Sequence, residues 1–217
     1  MKADIIWLDT ADSTNDEARR HISDIDNLSV LSVLQQTAGR GQRGNTWSSS
    51  PGQNLTFSIV LKFSVPGITE EILPSVKAYD QFVLTEIASV SMVSFLFKHG
   101  IDAKIKWPND IYYADRKVSG MLLEHTLQGA TLSQTIVGIG LNVNQHTFLS
   151  DAPNPVSLVQ ILNQEICRET LLDAFLQRFQ TYYARLEQQD FSTIHSSYVN
   201  RLYRHNAWAT FREETDT

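Results

Sequence analysis

The chain has 217 residues, of which 42% are hydrophobic and 19% charged. This ordinary globular balance argues against disorder and suits one sizeable domain with at most a small appendage. Its formal net charge of -6 excludes broad nucleic-acid binding, which rests on neutralising phosphates, but leaves room for a local basic site that takes a small anion.

Cys167 stands alone, so no intrachain disulfide framework and no cysteine-rich metal site can form. Asp4 and Asp9 interrupt the N-terminus, and no apolar run approaches the roughly 20 residues that cross a bilayer. The expectation is a cytoplasmic protein with no membrane partner.

In chain order, Ile5 to Leu8 predicts a short strand. Asp12-Ser13-Thr14-Asn15-Asp16-Glu17 predicts a helix start, with Ser13 or Thr14 as the cap and acids in the first turn, running to about Ile22. Capping alone accounts for these residues. Three small hydrogen-bonding side chains at such a place also make a polar pocket wall.

Strands at 30–36 and 54–62 flank the loop Gln36 to Trp47, which holds three glycines, two arginines and a tryptophan. Its glycines let amides approach a ligand, Arg40 can present a planar fork to an anion, and Trp47 offers a flat apolar wall. The plain alternative is a surface hairpin with solvated arginines.

Residues 64–75 read as a connection, and Lys77 to Lys98 as a long buried helix ended by Gly100. Alternation predicts a strand up to Trp107, a break at Pro108 and a strand resuming at Ile111. Strands from Val118 to Leu127 and Thr131 to Leu141 complete a meander. Strand alternation puts Lys104 and Lys106 on one face, where Lys106 can reach a phosphate or carboxylate. Asp110 can help hold Mg2+ between phosphates; a solvent-facing lysine and a turn carboxylate are the plainer alternative.

In Gly138-Ile139-Gly140-Leu141-Asn142 the glycines let something lie flat against the strand, and Asn142 can donate and accept. Residues 145–155 form a loop long enough to move over a site. Helices follow, one with a core stripe from Leu171 to Leu186 and a short one over Phe191 to Tyr198. Ala207 to Phe211 alternates like a final strand. Trp7, Trp107 and the Tyr182–Tyr183 pair read as core residues, and the six histidines show no ligand spacing. The class is α+β, with a mixed, largely antiparallel sheet and helices against one face.

Taken together, Asp12 to Asn15, the GRGxxGxxW core between Gln36 and Trp47, Ser50 to Leu55, Lys106 to Asp110, Arg116 to Gly120 and Gly138 to Asn142 resemble the catalytic domain of biotin protein ligases. The resemblance runs from about residue 5 to 145. It implies the fold shared with class II aminoacyl-tRNA synthetases and a two-step reaction. Biotin's carboxylate attacks the α-phosphate of ATP, giving biotinyl-5′-AMP and pyrophosphate. A lysine of a biotin carboxyl carrier protein then displaces AMP.

On this resemblance Lys106 bridges the biotin carboxyl and α-phosphate, and Arg40 steadies both as a second catalytic cation. Ser13, Thr14, Asn15 and Gln36 hydrogen-bond biotin's ureido ring or line its pocket. Gly39, Arg40, Gly41, Gln42, Trp47 and Gly120 line the biotin and adenylate pocket. Asn109, Asp110 and Asn142 lie on the nucleotide and Mg2+ side.

Gln42 and Asn45 stand where the family loop often has arginines. No DNA-binding helix-turn-helix is expected before Ile5, so a repressor role is not. The expected division is a catalytic domain over 1–203 and, over 204–217, the remnant or start of a C-terminal β module. The oligomeric state is left open, a homodimer included. The competing readings are a lipoate or octanoate transferase of the same fold and a binder that sequesters biotin or its adenylate without turnover.

Overall fold

The computed structural model describes residues 4–68, 73–148 and 154–208. Seven strands form one sheet: β1 (Ile5–Ala11), β2 (Val30–Gln36), β3 (Leu55–Lys62), β4 (Lys104–Lys106), β5 (Asp110–Tyr113), β6 (Arg116–Gln128) and β7 (Thr131–Leu141). Their order is β1-β2-β3-β7-β6-β5-β4. Only β1 and β2 run parallel, and every other pairing is antiparallel. The expected mixed, largely antiparallel sheet is therefore present.

Period-two alternation sorts the two faces of this sheet. On one face Phe57, Ile59, Val137 and Ile139 are buried in the main core. The helix α2 (Phe82–Lys98) packs there with α4 (Arg168–Glu187) and α5 (Phe191–Val199). Phe175 meets Phe57, Phe95 and Phe179, and Phe179 meets Tyr183, with ring centroids 5.5 to 6.3 Å apart, and this aromatic cluster joins sheet to helices. Truncating Phe175 would open a cavity at its centre and cost about 3–5 kcal/mol.

By length and composition Ala78–Lys98 could cross a bilayer, but 72% of its apolar 18-residue window is buried in the molecule. It is the core helix. The sequence extends the apolar pattern back to Lys77, yet Ala78–Asp80 forms a separate 3-10 turn before α2 begins.

Among the described residues the opposite sheet face carries α1 (Thr14–Arg20), whose Ala18 packs with Leu31, Val60 and Ile136. Helices thus cover mainly one face, as expected, with this one exception. The remaining short helix is α3 (Leu158–Leu162).

At the β4 edge Leu202 makes a parallel bridge with Ile105, so the expected boundary at 203 falls just beyond a contact with the sheet. Of the expected last strand, Ala207 and Trp208 are not in a strand and Trp208 is fully exposed. Residues 209–211, and 149–153 of the expected mobile loop, lie outside the described residues. Trp7 and Trp107 are corrections to the core reading, being 39% and 66% exposed, whereas Tyr183 is buried. Alternation identifies an aromatic on a strand but not whether anything covers it.

Candidate functional site

The sheet face opposite α2 is the floor of a cavity of about 320 Å³. Cross-strand pairing lines up one transverse row on it. Lys106 sits opposite Asp110, Asp110 opposite Gly120, Gly120 opposite Gly140, and Gly140 opposite Thr56. All five residues line the cavity. The next row on the same face contains Leu122, Gly138 and Ser58, and the row after it Glu124, Ile136 and Val60.

The glycines in these rows are there for close approach. A Cβ on Gly140 would meet the Trp47 indole ring, and one on Gly138 would meet the Asn15 amide, both inside hard contact. What lies flat against the strand is thus part of the chain itself. Trp47 Nε1 is a buried donor with no partner among the described residues, on the cavity floor.

Trp47 arrives there by a small hairpin. Arg40 and Thr46 form an antiparallel bridge, the Trp47 amide donates to the Gly39 carbonyl at 2.9 Å, and Gln42–Gly44 make the tip. Arg43 at the tip has φ 55°, a left-handed conformation in which a non-glycine residue carries strain. The surface-hairpin alternative is right about the shape, but the base of this hairpin is tied down.

One wall is the start of α1. Ser13, Thr14 and Asn15 are buried. The Ser58 hydroxyl lies 2.8 Å from Thr14 Oγ1 and 2.6 Å from Asn15 Oδ1. Asn15 Nδ2 donates to the Leu122 carbonyl at 3.2 Å and to Glu124 at 2.7 Å. The expected side-chain cap is absent, since Ser13 occupies the cap position without such a bond. Instead the Gln36 side-chain oxygen accepts from the Thr14 amide at 2.9 Å, and this capping bond is the contact that Gln36 makes.

The opposite end is cationic. Lys106 Nζ donates to the Tyr112 hydroxyl at 3.1 Å and lies 4.8 Å from that ring's centre. A second lysine, not singled out by the sequence reading, lies deeper. Lys117 Nζ is 2.7 Å from Asp110, and its position 5.8 Å from the Trp47 ring gives it a cation–π contact. Among the described residues Asp110 is the one carboxylate in the lining. Asn109 is buried and donates to the Met121 carbonyl.

Arg40 lines the cavity, with its charge already paired. Its fork holds both oxygens of Glu124 at 3.1 Å and Asp16 at 2.7 Å. Burial opposes its charge, yet these two carboxylates push the guanidinium above its ordinary range. They already neutralise it. Burial likewise works against the charge of Glu124, but bonds from Asn15, Arg40 and Arg19 outweigh it and hold the carboxyl below its ordinary range.

Of the expected residues, Ser13, Thr14, Asn15, Gln36, Arg40, Gly41, Gln42, Trp47, Lys106, Asn109, Asp110 and Gly120 meet around the cavity. Gly39 and Asn142 do not line it. A Cβ on Gly39 would strike the Gln36 side chain. Asn142 is buried, donating to the Val156 carbonyl at 3.1 Å while its backbone amide donates to the Val118 carbonyl. It therefore ties a strand end to the following loop instead of facing a nucleotide.

The arrangement places a neutral, hydrogen-bonding wall at one end and two ammonium groups at the other, with an indole between. Such a cavity suits a small molecule with a polar ring and an anionic tail.

Known proteins resemble this chain in sequence and fold. Bifunctional ligase/repressor BirA of Bacillus subtilis (strain 168) is 30% identical over 89% of this chain and 58% of its own length. Biotin–protein ligase 2 of Arabidopsis thaliana is 26% identical over 97% of this chain and 61% of its own length. The chain thus spans about three fifths of these curated relatives. The solved biotin protein ligase from Aquifex aeolicus in complex with biotin and ATP superposes with TM-score 0.75 at 27% identity, covering 92% of this chain and 78% of that one. The model of the biotin/lipoate A/B protein ligase family matches residues 7–142, and the chain belongs to that family.

Proposed function

We propose that this protein activates biotin with ATP to biotinyl-5′-AMP and transfers the biotinyl group to a lysine of a biotin carboxyl carrier protein. The observation that carries the proposal is the single row Lys106–Asp110–Gly120–Gly140–Thr56, whose glycines leave room for the Trp47 indole between the polar α1 wall and the lysines at the other end. The Aquifex aeolicus relative, crystallised with biotin and ATP, supports the choice of ligands.

In this reading the wall of Ser13, Thr14 and Asn15 holds the ureido ring by hydrogen bonds to groups already oriented by Ser58 and Gln36. The carboxylate then points to the cationic end. When oxygen of the carboxylate attacks the α-phosphorus and pyrophosphate leaves, negative charge builds on the phosphoryl oxygens. Lys106 and Lys117 stabilise it, and fixed positioning supplies the rest. Arg40, neutralised by two carboxylates, anchors its hairpin.

The donor set fits Mg2+ in one way. Among the described residues no group of three acidic, histidine or cysteine side chains could hold a metal ion, so the ion would rest mainly on phosphate oxygens with Asp110 as its protein carboxylate. It would neutralise the departing pyrophosphate. Trp47 and its hairpin keep water from the mixed anhydride, which otherwise hydrolyses or acylates unrelated lysines. A cytoplasmic setting, where carrier proteins and ATP are available, belongs to the same proposal.

Pyrophosphate release from ATP tests the reading, with biotin, lipoate or no acid added and with a carrier domain present for labelling. Biotin-dependent release with a labelled carrier is expected. Release with lipoate alone overturns the substrate, and tight biotin binding without release overturns the enzyme in favour of a sequestering protein.

A further inference from the structure

We infer that Glu124, which lies outside the cavity lining, is a positioning residue that sets two walls of the cavity at once. Through Asn15 it fixes the polar α1 wall, and through Arg40 it fixes the glycine hairpin that carries Trp47. The inference deepens the proposed function and rests on it for the identity of the ligand.

Glu124 projects from β6 on the cavity side of the sheet, two residues beyond Leu122. Its carboxylate accepts from Asn15 Nδ2 at 2.7 Å and from the Arg40 fork at 3.1 Å through each oxygen. An amide side chain can turn either way, and a carboxylate accepts only. Glu124 therefore forces Asn15 to present its nitrogen to β6 and its oxygen to Ser58, which lies 2.6 Å away. The hydrogen-bonding sense of the wall is set from behind.

The same carboxylate closes a ring of alternating charge. Arg19 meets Asp16 at 2.7 Å, Asp16 meets Arg40 at 2.7 Å, Arg40 meets Glu124 at 3.1 Å and Glu124 meets Arg19 at 2.8 Å. An isolated exposed pair does little, but a closed network with a two-pronged Arg–carboxylate contact fixes geometry. Three of the four members sit on α1 or β6, and the fourth, Arg40, opens the hairpin just before Gly41. Replacing Glu124 frees the hairpin base from the sheet without substituting any residue that lines the cavity.

The test compares Glu124→Gln, Glu124→Ala, Arg40→Ala and the Arg40→Ala/Glu124→Ala double variant with the wild-type protein. Glu124→Gln keeps an acceptor for Asn15 and loses the charge, so it guards against a variant that fails to fold. The biotin dissociation constant is expected to rise about three- to tenfold in Glu124→Gln and about tenfold or more in Glu124→Ala, with the KM for ATP within about twofold of wild type. Both single alanine variants remove the Arg40–Glu124 contact, so the loss in the double variant is expected to fall short of the sum of the two single losses.

In the ligand-free proteins, trypsin cleavage after Arg43 is expected to be at least about fivefold faster in all three single variants. Equal losses for biotin and ATP, additive losses, or unchanged cleavage would each overturn the role. If the wild-type protein binds no biotin, the functional reading fails, while the cleavage rates still decide whether Glu124 clamps the hairpin.

Discussion

At the α1 end of the cavity Asn15 is bonded to Glu124, Leu122 and Ser58, and the Thr14 amide to Gln36. At the far end Lys106 leans on a phenol, and Lys117 on one carboxylate that also faces the cavity. The first end is finished before any ligand arrives. It selects by shape and by the direction of its donors and acceptors, with little left to reorganise. The second end holds its charges on partners that an incoming anion can replace, which suits a place where charge changes during a reaction. On the proposed function, recognition and chemistry would fall to different ends of one sheet face.

Substitutions at the two ends should separate these roles. The largest effect is expected at the cationic end. Lys117→Ala and Lys106→Ala should each lower adenylate formation about 10²- to 10³-fold, read as pyrophosphate release, while biotin binds within a few-fold of wild type by calorimetry. Near-normal turnover of Lys106→Ala beside a crippled Lys117→Ala would move the bridging role wholly to Lys117. At the other end Asn15→Ala should do the reverse. It leaves Ser58 and Glu124 short of partners, so the biotin dissociation constant should rise about 10- to 100-fold, with turnover at saturating biotin much less affected.

Next come the glycines of the floor. Gly138→Ala drives a methyl group into Asn15, and Gly140→Ala drives one into the Trp47 ring. Overpacking of this kind costs about 1–3 kcal/mol. At about 2–4 °C per kcal/mol for a chain of this size, thermal denaturation should show a loss of roughly 2–12 °C for each. The comparison between the ends sharpens if Gly138→Ala weakens biotin more than ATP while Gly140→Ala affects both.

Much of this was legible in local pattern. Alternation from β5 to β7 and the apolar run of α2 fixed the central elements, and the paired glycines of β7 announced that something lies flat on the strand. Local pattern does not say what. Trp47 and Asn15 reach Gly140 and Gly138 only through the folded sheet, and Arg40 meets Glu124 across 84 positions of chain. Lys117 was hidden by a more specific cause. It precedes Gly120 by three residues, so strict alternation sends it to the core face. The β5–β6 register pairs Ile111 with Ser119 and Tyr112 with Lys117, which leaves Val118 as an extra residue. That bulge buries Val118 and turns Lys117 into the cavity. Asn142 misled in the opposite sense, because a polar residue at a strand end serves a loop as readily as a ligand.

The smallest expected effect is on stability, and it comes from pH. Burial by itself would raise the Glu124 carboxyl, but the bonds from Asn15, Arg40 and Arg19 hold it below the ordinary value of 4.5. The folded protein therefore binds fewer protons at this group than the unfolded chain does. The stability it contributes is fully present above 4.5 and is lost as the pH falls through the lowered value. Glu124→Gln never has that contribution. The difference in melting temperature between wild type and Glu124→Gln should be about a few degrees near neutral pH, since the ring is partly exposed, and should shrink toward zero in acid. His125 complicates the raw curves but not their difference. Burial lowers it from the ordinary 6.5, so both proteins lose stability as the pH falls below that value. Subtracting one melting curve from the other removes this shared loss, and a residual difference that stays constant down to acid pH would show that Glu124 acts through its shape and not its charge.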